Sequence, residues 1–137
     1  MSQFEWPVRV YYEDTDNGGV VYYANYLRFM ERARTEYLRS LGFEQDQLIR
    51  ENDILFAVRS VQIDYHAPAR FNDRLTVSVD ILQRSRASLT FGQIVMRADA
   101  PGAELCSAEV NVACLAASTF RPQALPDFIL KEIPDVG

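Results

Sequence analysis

An α+β fold, one long helix lying against an antiparallel sheet, is predicted by three features of the sequence. The hydrophobic period is 3.6 in a single stretch, from about Tyr22 to Leu41. It is 2 over most of the chain after residue 53, and the connections between those period-2 runs are short. At 137 residues the chain fits one domain, 1–137, ending in a tail from about residue 120.

Taken in order, Val8, Val10 and Tyr12 alternate with Arg9, Tyr11 and Glu13, the periodicity of a first strand. The run Asp14-Thr-Asp-Asn-Gly-Gly19 then breaks it with turn formers. At helical spacing Tyr26, Met30, Ala33, Tyr37 and Leu41 share one stripe, with Leu27 and Leu38 beside it and Arg28, Arg32, Thr35 and Arg39 opposite. Gly42 stands at a C-terminal cap position, and residues 44–51 add a short helical turn. Phe56 to Tyr65 reads as a strand closed by His66-Ala-Pro68, and residues 75–81 alternate as one strand. Two more strands follow at 88–98 and 104–116, joined by a turn at Ala100-Pro-Gly-Ala103, and the Pro-containing tail past Thr119 reads as a surface segment. Consecutive strands with short connections form an antiparallel meander, so a five-stranded curved sheet wrapped round the helix is expected. Its exposed edges need covering, and pairing with a second copy does this; a dimer is expected.

Composition narrows the function. With 48% hydrophobic and 24% charged residues the chain is of ordinary globular make-up. Its net charge of -5 argues against a nucleic-acid partner, so any anionic ligand must be held by a local Arg cluster. Cys106 and Cys114 fall on one strand, roughly 26 Å apart at strand rise, too far for a disulfide, and read as reduced buried thiols. The segment Met1–Pro7 has neither the basic nor the apolar region of a secretory leader, and no apolar run reaches the ~18 residues of a membrane span. A cytoplasmic protein is expected.

The chemistry concentrates in Arg9-Val-Tyr-Tyr-Glu-Asp-Thr-Asp-Asn-Gly-Gly-Val-Val-Tyr-Tyr-Ala-Asn-Tyr26: strand, acidic turn, two glycines, helix start. Gly18 and Gly19 let the backbone approach a ligand closely. A helix N-terminus supplies unpaired N–H groups and partial positive charge, so a carboxylate beside it can act on a carbonyl whose oxygen those groups hold. Asp14 and Asp16 are equally suited to be turn and capping residues. A calcium loop starting at Asp14 fails, because Gly18 and Asn25 supply neither the oxygen nor the Glu it requires. His66, the only histidine, stands at a strand end without a Gly-x-Ser-x-Gly elbow, which suits a structural or rim role. One His and two separated Cys offer no usual metal spacing. On the helix, Glu31 and Arg34 are three apart and able to pair.

This block resembles the signature of the 4-hydroxybenzoyl-CoA thioesterase family, especially its YbgC-like branch of Tol-Pal-associated acyl-CoA thioesterases. A second block, Ile63-Asp-Tyr-His-Ala-Pro-Ala-Arg-Phe-Asn-Asp-Arg-Leu75, is similar to the same branch, and the likeness runs to about residue 120. The resemblance implies the hotdog fold and hydrolysis of acyl-CoA thioesters, with acyl-carrier-protein thioesters as the less favoured substrate. It implies that Asp16 is the catalytic carboxylate, as nucleophile through a mixed anhydride or as general base on water. The backbone N–H of Tyr23 matches the oxyanion donor, with Gly19 shaping the approach. Relatives commonly carry His at the place of Tyr23; a phenol of ordinary pKa about 10 is a poor base, whereas a backbone donor survives the change. The loop Arg84-Ser85-Arg86-Ala-Ser88 is implied to hold the nucleotide phosphates, with Arg59 and Arg70 as weaker candidates. Glu31 is the alternative carboxylate, since some hotdog thioesterases use a helix Glu. No metal or separate cofactor is implied, coenzyme A being part of the substrate. Assembly as homodimers, and further as a homotetramer, is implied as well. The alternatives are a non-catalytic acyl-CoA or carrier-protein binder of the same fold, with an envelope-associated role, and a hotdog dehydratase, which the placement of His66 disfavours.

Overall fold

The computed structural model describes residues 4–136; the leader expectation for residues 1–3 falls outside them. The elements are β1 (Glu5–Arg9), a single 3-10 turn at Tyr12–Asp14, α1 (Asn25–Ser40), α2 (Gln45–Asn52), β2 (Ile54–Tyr65), β3 (Arg74–Ser78), β4 (Asp80–Ser85), β5 (Ser88–Arg97), β6 (Glu104–Ala116) and α3 (Asp127–Leu130). All strands join one antiparallel sheet in the order β1-β3-β5-β6-β2, with β4 also on β5. This is the predicted α+β hotdog arrangement, a long helix held in a wrapped antiparallel sheet.

The first strand lies earlier than its alternation suggested. Pro7 is tolerated because β1, at the sheet edge, pairs with β3 alone among the described residues. The chain then turns rather than extending to residue 13, because the Asp14 carboxylate accepts the Tyr11 N–H at 2.8 Å. Strand 75–81 is broken in two at Val79. Both halves hold one register on β5, Val77 opposite Val95 and Asp80 opposite Gly92. Between them the Ser78 hydroxyl accepts the Ile94 N–H (3.0 Å) and the Val79 N–H turns to the Phe4 carbonyl (3.1 Å). The expected five strands are therefore counted as six.

A simple meander is not what forms. β2 pairs with β6, from Ile54 opposite Ala116 to Tyr65 opposite Cys106, and stands at the sheet edge. Residues 66–73 must then carry the chain across to β3. Periodicity reports which face a strand buries and is silent on its neighbour, so this crossing was not readable.

Helix α1 starts at Asn25, three residues later than its period suggested, and buries Tyr26, Phe29, Met30, Ala33, Tyr37 and Leu38. Against it lie the inward residues of the sheet, including Val77, Leu89, Phe91, Val95, Val110 and Val112. Each large side chain so buried contributes about 1.5–3 kcal/mol. The predicted stripe is buried at Tyr26, Met30, Ala33 and Tyr37, with Leu38 beside it; Phe29 joins it, whereas Leu27 is 39% exposed. The helix closes as expected. Gly42 takes φ +97°, its N–H reaches the Arg39 carbonyl, and the Phe43 N–H reaches that of Leu38, the Schellman pattern.

The tail is a correction. Leu125, Ile129 and Ile133 are buried, and the Leu125 and Gln123 N–H groups bond the Arg86 and Cys114 carbonyls. It is a strap on the body rather than a surface segment. Cys106 and Cys114 are free, buried thiols of β6. No helix among the described residues is long and apolar enough to cross a membrane.

Candidate active site

The acidic turn is a short hairpin closed at its base. Thr15 bridges Val21, and the Tyr22 N–H and the Asn25 side-chain amide both donate to the Asp14 carbonyl, at 2.9 Å each. Asp14 is buried at 6% exposure and serves this base; the turn-residue reading applies to it. Asp16 lies one step further out. Its N–H bonds the Val20 carbonyl, its carbonyl accepts the Gly19 N–H, and its Oδ1 accepts the Gly18 N–H at 2.8 Å. A side chain at residue 18 would meet that oxygen at 3.2 Å, and Gly19 holds φ +79°, a conformation that L side chains rarely adopt. Both glycines thus shape the surroundings of an exposed carboxylate whose Oδ2 takes no bond from the described residues.

The same base leads into the helix. The Asn25 N–H holds the Tyr22 carbonyl at 2.8 Å. Because the peptide is trans, the Tyr23 N–H points the opposite way, out of the helix start. Neither Tyr23 nor Ala24 finds an acceptor for its N–H among the described residues, and no side chain caps the helix. These are orphan donors of the kind every helix start presents.

The second sequence block turns out to be the buttress of the first. The Ala69 carbonyl accepts the Val21 N–H (2.8 Å), Arg70 bridges Val20, and the Ala69 N–H donates to the Tyr26 hydroxyl (3.0 Å). The Tyr65 hydroxyl donates to the Tyr23 carbonyl at 3.1 Å. Val21, Tyr23, Tyr26, Tyr65, Ala67 and Pro68 wall a cavity of about 280 Å³ beside the helix start. His66 stands at its rim with Nε2 3.0 Å from the Ser107 hydroxyl. Sequence reasoning missed Tyr65, Tyr26 and Asn25; their only signal was membership of the two blocks.

Glu31 and Arg34 do not pair. The Glu31 carboxylate accepts the Thr35 hydroxyl (2.7 Å), and Arg34 donates to the side-chain carbonyl of buried Gln93 (2.9 Å), whose amide in turn donates to the Met30 carbonyl. Burial lowers the Arg34 pKa, with Glu31 opposing. Both helix residues border an apolar cavity of about 130 Å³ formed with Leu38, Phe56, Leu89 and Phe91. Asp16 is not on its wall.

Of the predicted phosphate loop, only part is available. Arg84 does not face outward: it binds the Leu130 carbonyl and the Asp135 carboxylate, both at 3.0 Å. Ser88 is buried, while Ser85 and Arg86 are exposed. The loop also lies at the far end of the sheet. Ser88 is opposite Ala113 and Tyr65 opposite Cys106, a separation along β6 of roughly 24 Å at strand rise. Arg59 and Arg70 are exposed.

The family model of the thioesterase superfamily matches residues 18–103, and with the fold it defines the class: the chain belongs to the thioesterase superfamily. Within it the chain is YbgC-like. It is 46% identical to the acyl-CoA thioester hydrolase YbgC of Escherichia coli O157:H7, over 94% of each chain. It is also 46% identical to the acyl-CoA thioesterase YbgC of Haemophilus influenzae, over 90% of this chain and 88% of that one. Among solved structures, Slr0204, a 1,4-dihydroxy-2-naphthoyl-CoA thioesterase from Synechocystis, superposes with TM-score 0.87 at 28% identity, covering 95% of this chain and 94% of that one.

Proposed function

We propose that the protein hydrolyses acyl-CoA thioesters to a free acid and CoA, with Asp16 as the reacting carboxylate. The observation that carries this reading is the shared base of the Asp16 hairpin and the helix start, where free Tyr23 and Ala24 N–H groups point outward. A thioester carbonyl oxygen received by those groups gains stabilisation as negative charge develops on it. Asp16, with one oxygen steadied by Gly18 and the other unbonded, attacks the carbonyl carbon or takes the proton of an attacking water. Tyr23 acts through its backbone, so a phenol in place of an imidazole leaves the donor intact.

The site is completed by a second copy. β2 is a free edge on which Val58 and Val61 are 50% and 40% exposed, and two-fold antiparallel pairing along it would cover both. Such pairing sets the Tyr65 end of one β2 beside the Ile54 end of the other. That brings the partner's phosphate-binding loop, Ser85 and Arg86 included, towards the Asp16 end of this chain.

A second reading has one specific support: Glu31, not Asp16, borders the apolar cavity against the helix. Thiol release from acyl-CoA esters of graded length and from aromatic acyl-CoA, run beside carrier-protein thioesters, tests the hydrolase reading. Release from the CoA esters is expected. Binding without release from any of them would leave an acyl-CoA-binding protein instead.

A further inference from the structure

The thioester carbonyl site proposed above depends on two peptide groups pointing their N–H bonds outward, and only the first of these is held by the helix. Residues 22–24 precede its first turn, and no side-chain cap orders them. The 22–23 peptide is fixed by the Asn25 N–H on the Tyr22 carbonyl. For the 23–24 peptide the only partner among the described residues comes from across the fold: the Tyr65 hydroxyl on the Tyr23 carbonyl, 3.1 Å away and 42 residues along the chain. In a trans peptide the N–H lies opposite the C=O, so the phenol dictates where the Ala24 N–H points.

Tyr65 is well placed to be rigid. It is the last residue of β2, locked opposite Cys106 in the ladder. Its ring packs edge-on to Tyr23 (centroids 6.1 Å apart) and against Tyr26 (5.6 Å). Tyr26 is itself pinned by its hydroxyl to the Ala69 N–H. Tyr65 is 44% exposed, and partial desolvation, with Cys106 adding, raises its pKa, so the phenol remains a donor.

We propose that Tyr65 is a positioning residue of the thioester hydrolase, its hydroxyl orienting the Tyr23–Ala24 peptide whose N–H completes the pair receiving the thioester oxygen. This rests on the hydrolase reading and adds to it. Donors of this kind count only when aimed at the developing oxyanion, so loosening one acts on turnover and not on binding.

The test is Tyr65→Phe, which keeps the ring against Tyr23 and Tyr26 and removes one oxygen. Steady-state kinetics with a turned-over acyl-CoA should show kcat lowered at least ~10-fold, short of the ~100-fold or more that deleting an oxyanion donor costs. KM should stay within about twofold, with the thermal midpoint measured in parallel to confirm that the variant is folded under assay conditions. Unchanged kcat, or a loss confined to KM, overturns the proposal. Wild type and Asp16→Asn are assayed alongside. An inactive wild type would remove the hydrolase reading and this proposal together, whereas an active wild type with an equally active Tyr65→Phe removes this one alone.

Discussion

At the scale of single residues, environment separates groups that look alike in the sequence. Asp14 and Asp16 are two positions apart, yet one is buried in the hairpin base and the other exposed beyond it. Cys106 and Cys114 are alike in the opposite sense. Burial pushes the first thiol up to about 12, with Asp64 adding, and the second up to about 11. The thiolate is the reactive form, so neither should react in the native protein. A thiol reagent at pH 8 is expected to titrate none rapidly before denaturation and two after it; fast native labelling would show that β6 is open. The same shifts make stability depend on alkaline pH. A thiol whose folded pKa exceeds its unfolded value of about 9 stabilises the fold fully below that pH. That contribution is lost as pH rises from about 9 towards 11 and 12.

At the scale of elements, much was legible, and apart from the first strand, which a local Tyr11–Asp14 contact ends early, the failures share one cause. The helix, its Gly42 cap, and strands β2, β5 and β6 follow from period and turn chemistry, which are local. The split at Val79, the placement of β2 beside β6 and the docked tail depend on partners remote in sequence. The site shows the same division. Gly18, Gly19 and Asp16 declare themselves in one run, whereas Tyr65 meets Tyr23 through a hydrogen bond and a ring contact 42 residues along the chain. The β4–β5 hairpin is the clearest correction, since Arg84 near the end of β4 clasps the tail and the Arg86 side chain is left exposed. Arg84→Ala should therefore lower the thermal midpoint and expose the tail to protease, while KM for CoA esters stays near wild type. Arg86→Ala should do the reverse, raising KM with little change in kcat, because remote phosphate contacts bind ground and transition states alike. Swapped outcomes would reassign the two arginines.

At the scale of the whole molecule, the carboxylate and the phosphate loop proposed above lie at opposite ends of one chain's sheet, and two-fold pairing along β2 would bring them together across two chains. If the loop acts in trans, mixing Asp16→Asn chains with Arg86→Ala chains creates dimers in which one site has both groups intact. KM at that site should return to the wild-type value, and a mixture no better than Arg86→Ala alone would place both groups of a site on one chain. The account as a whole turns on the carboxylate, and Glu31 is its competitor. The most direct measurement is CoA release by Asp16→Asn and Glu31→Gln, each first shown to keep the wild-type fold and oligomer. Asp16→Asn should release no CoA above background while Glu31→Gln still turns over; wild-type rates from Asp16→Asn would contradict the account.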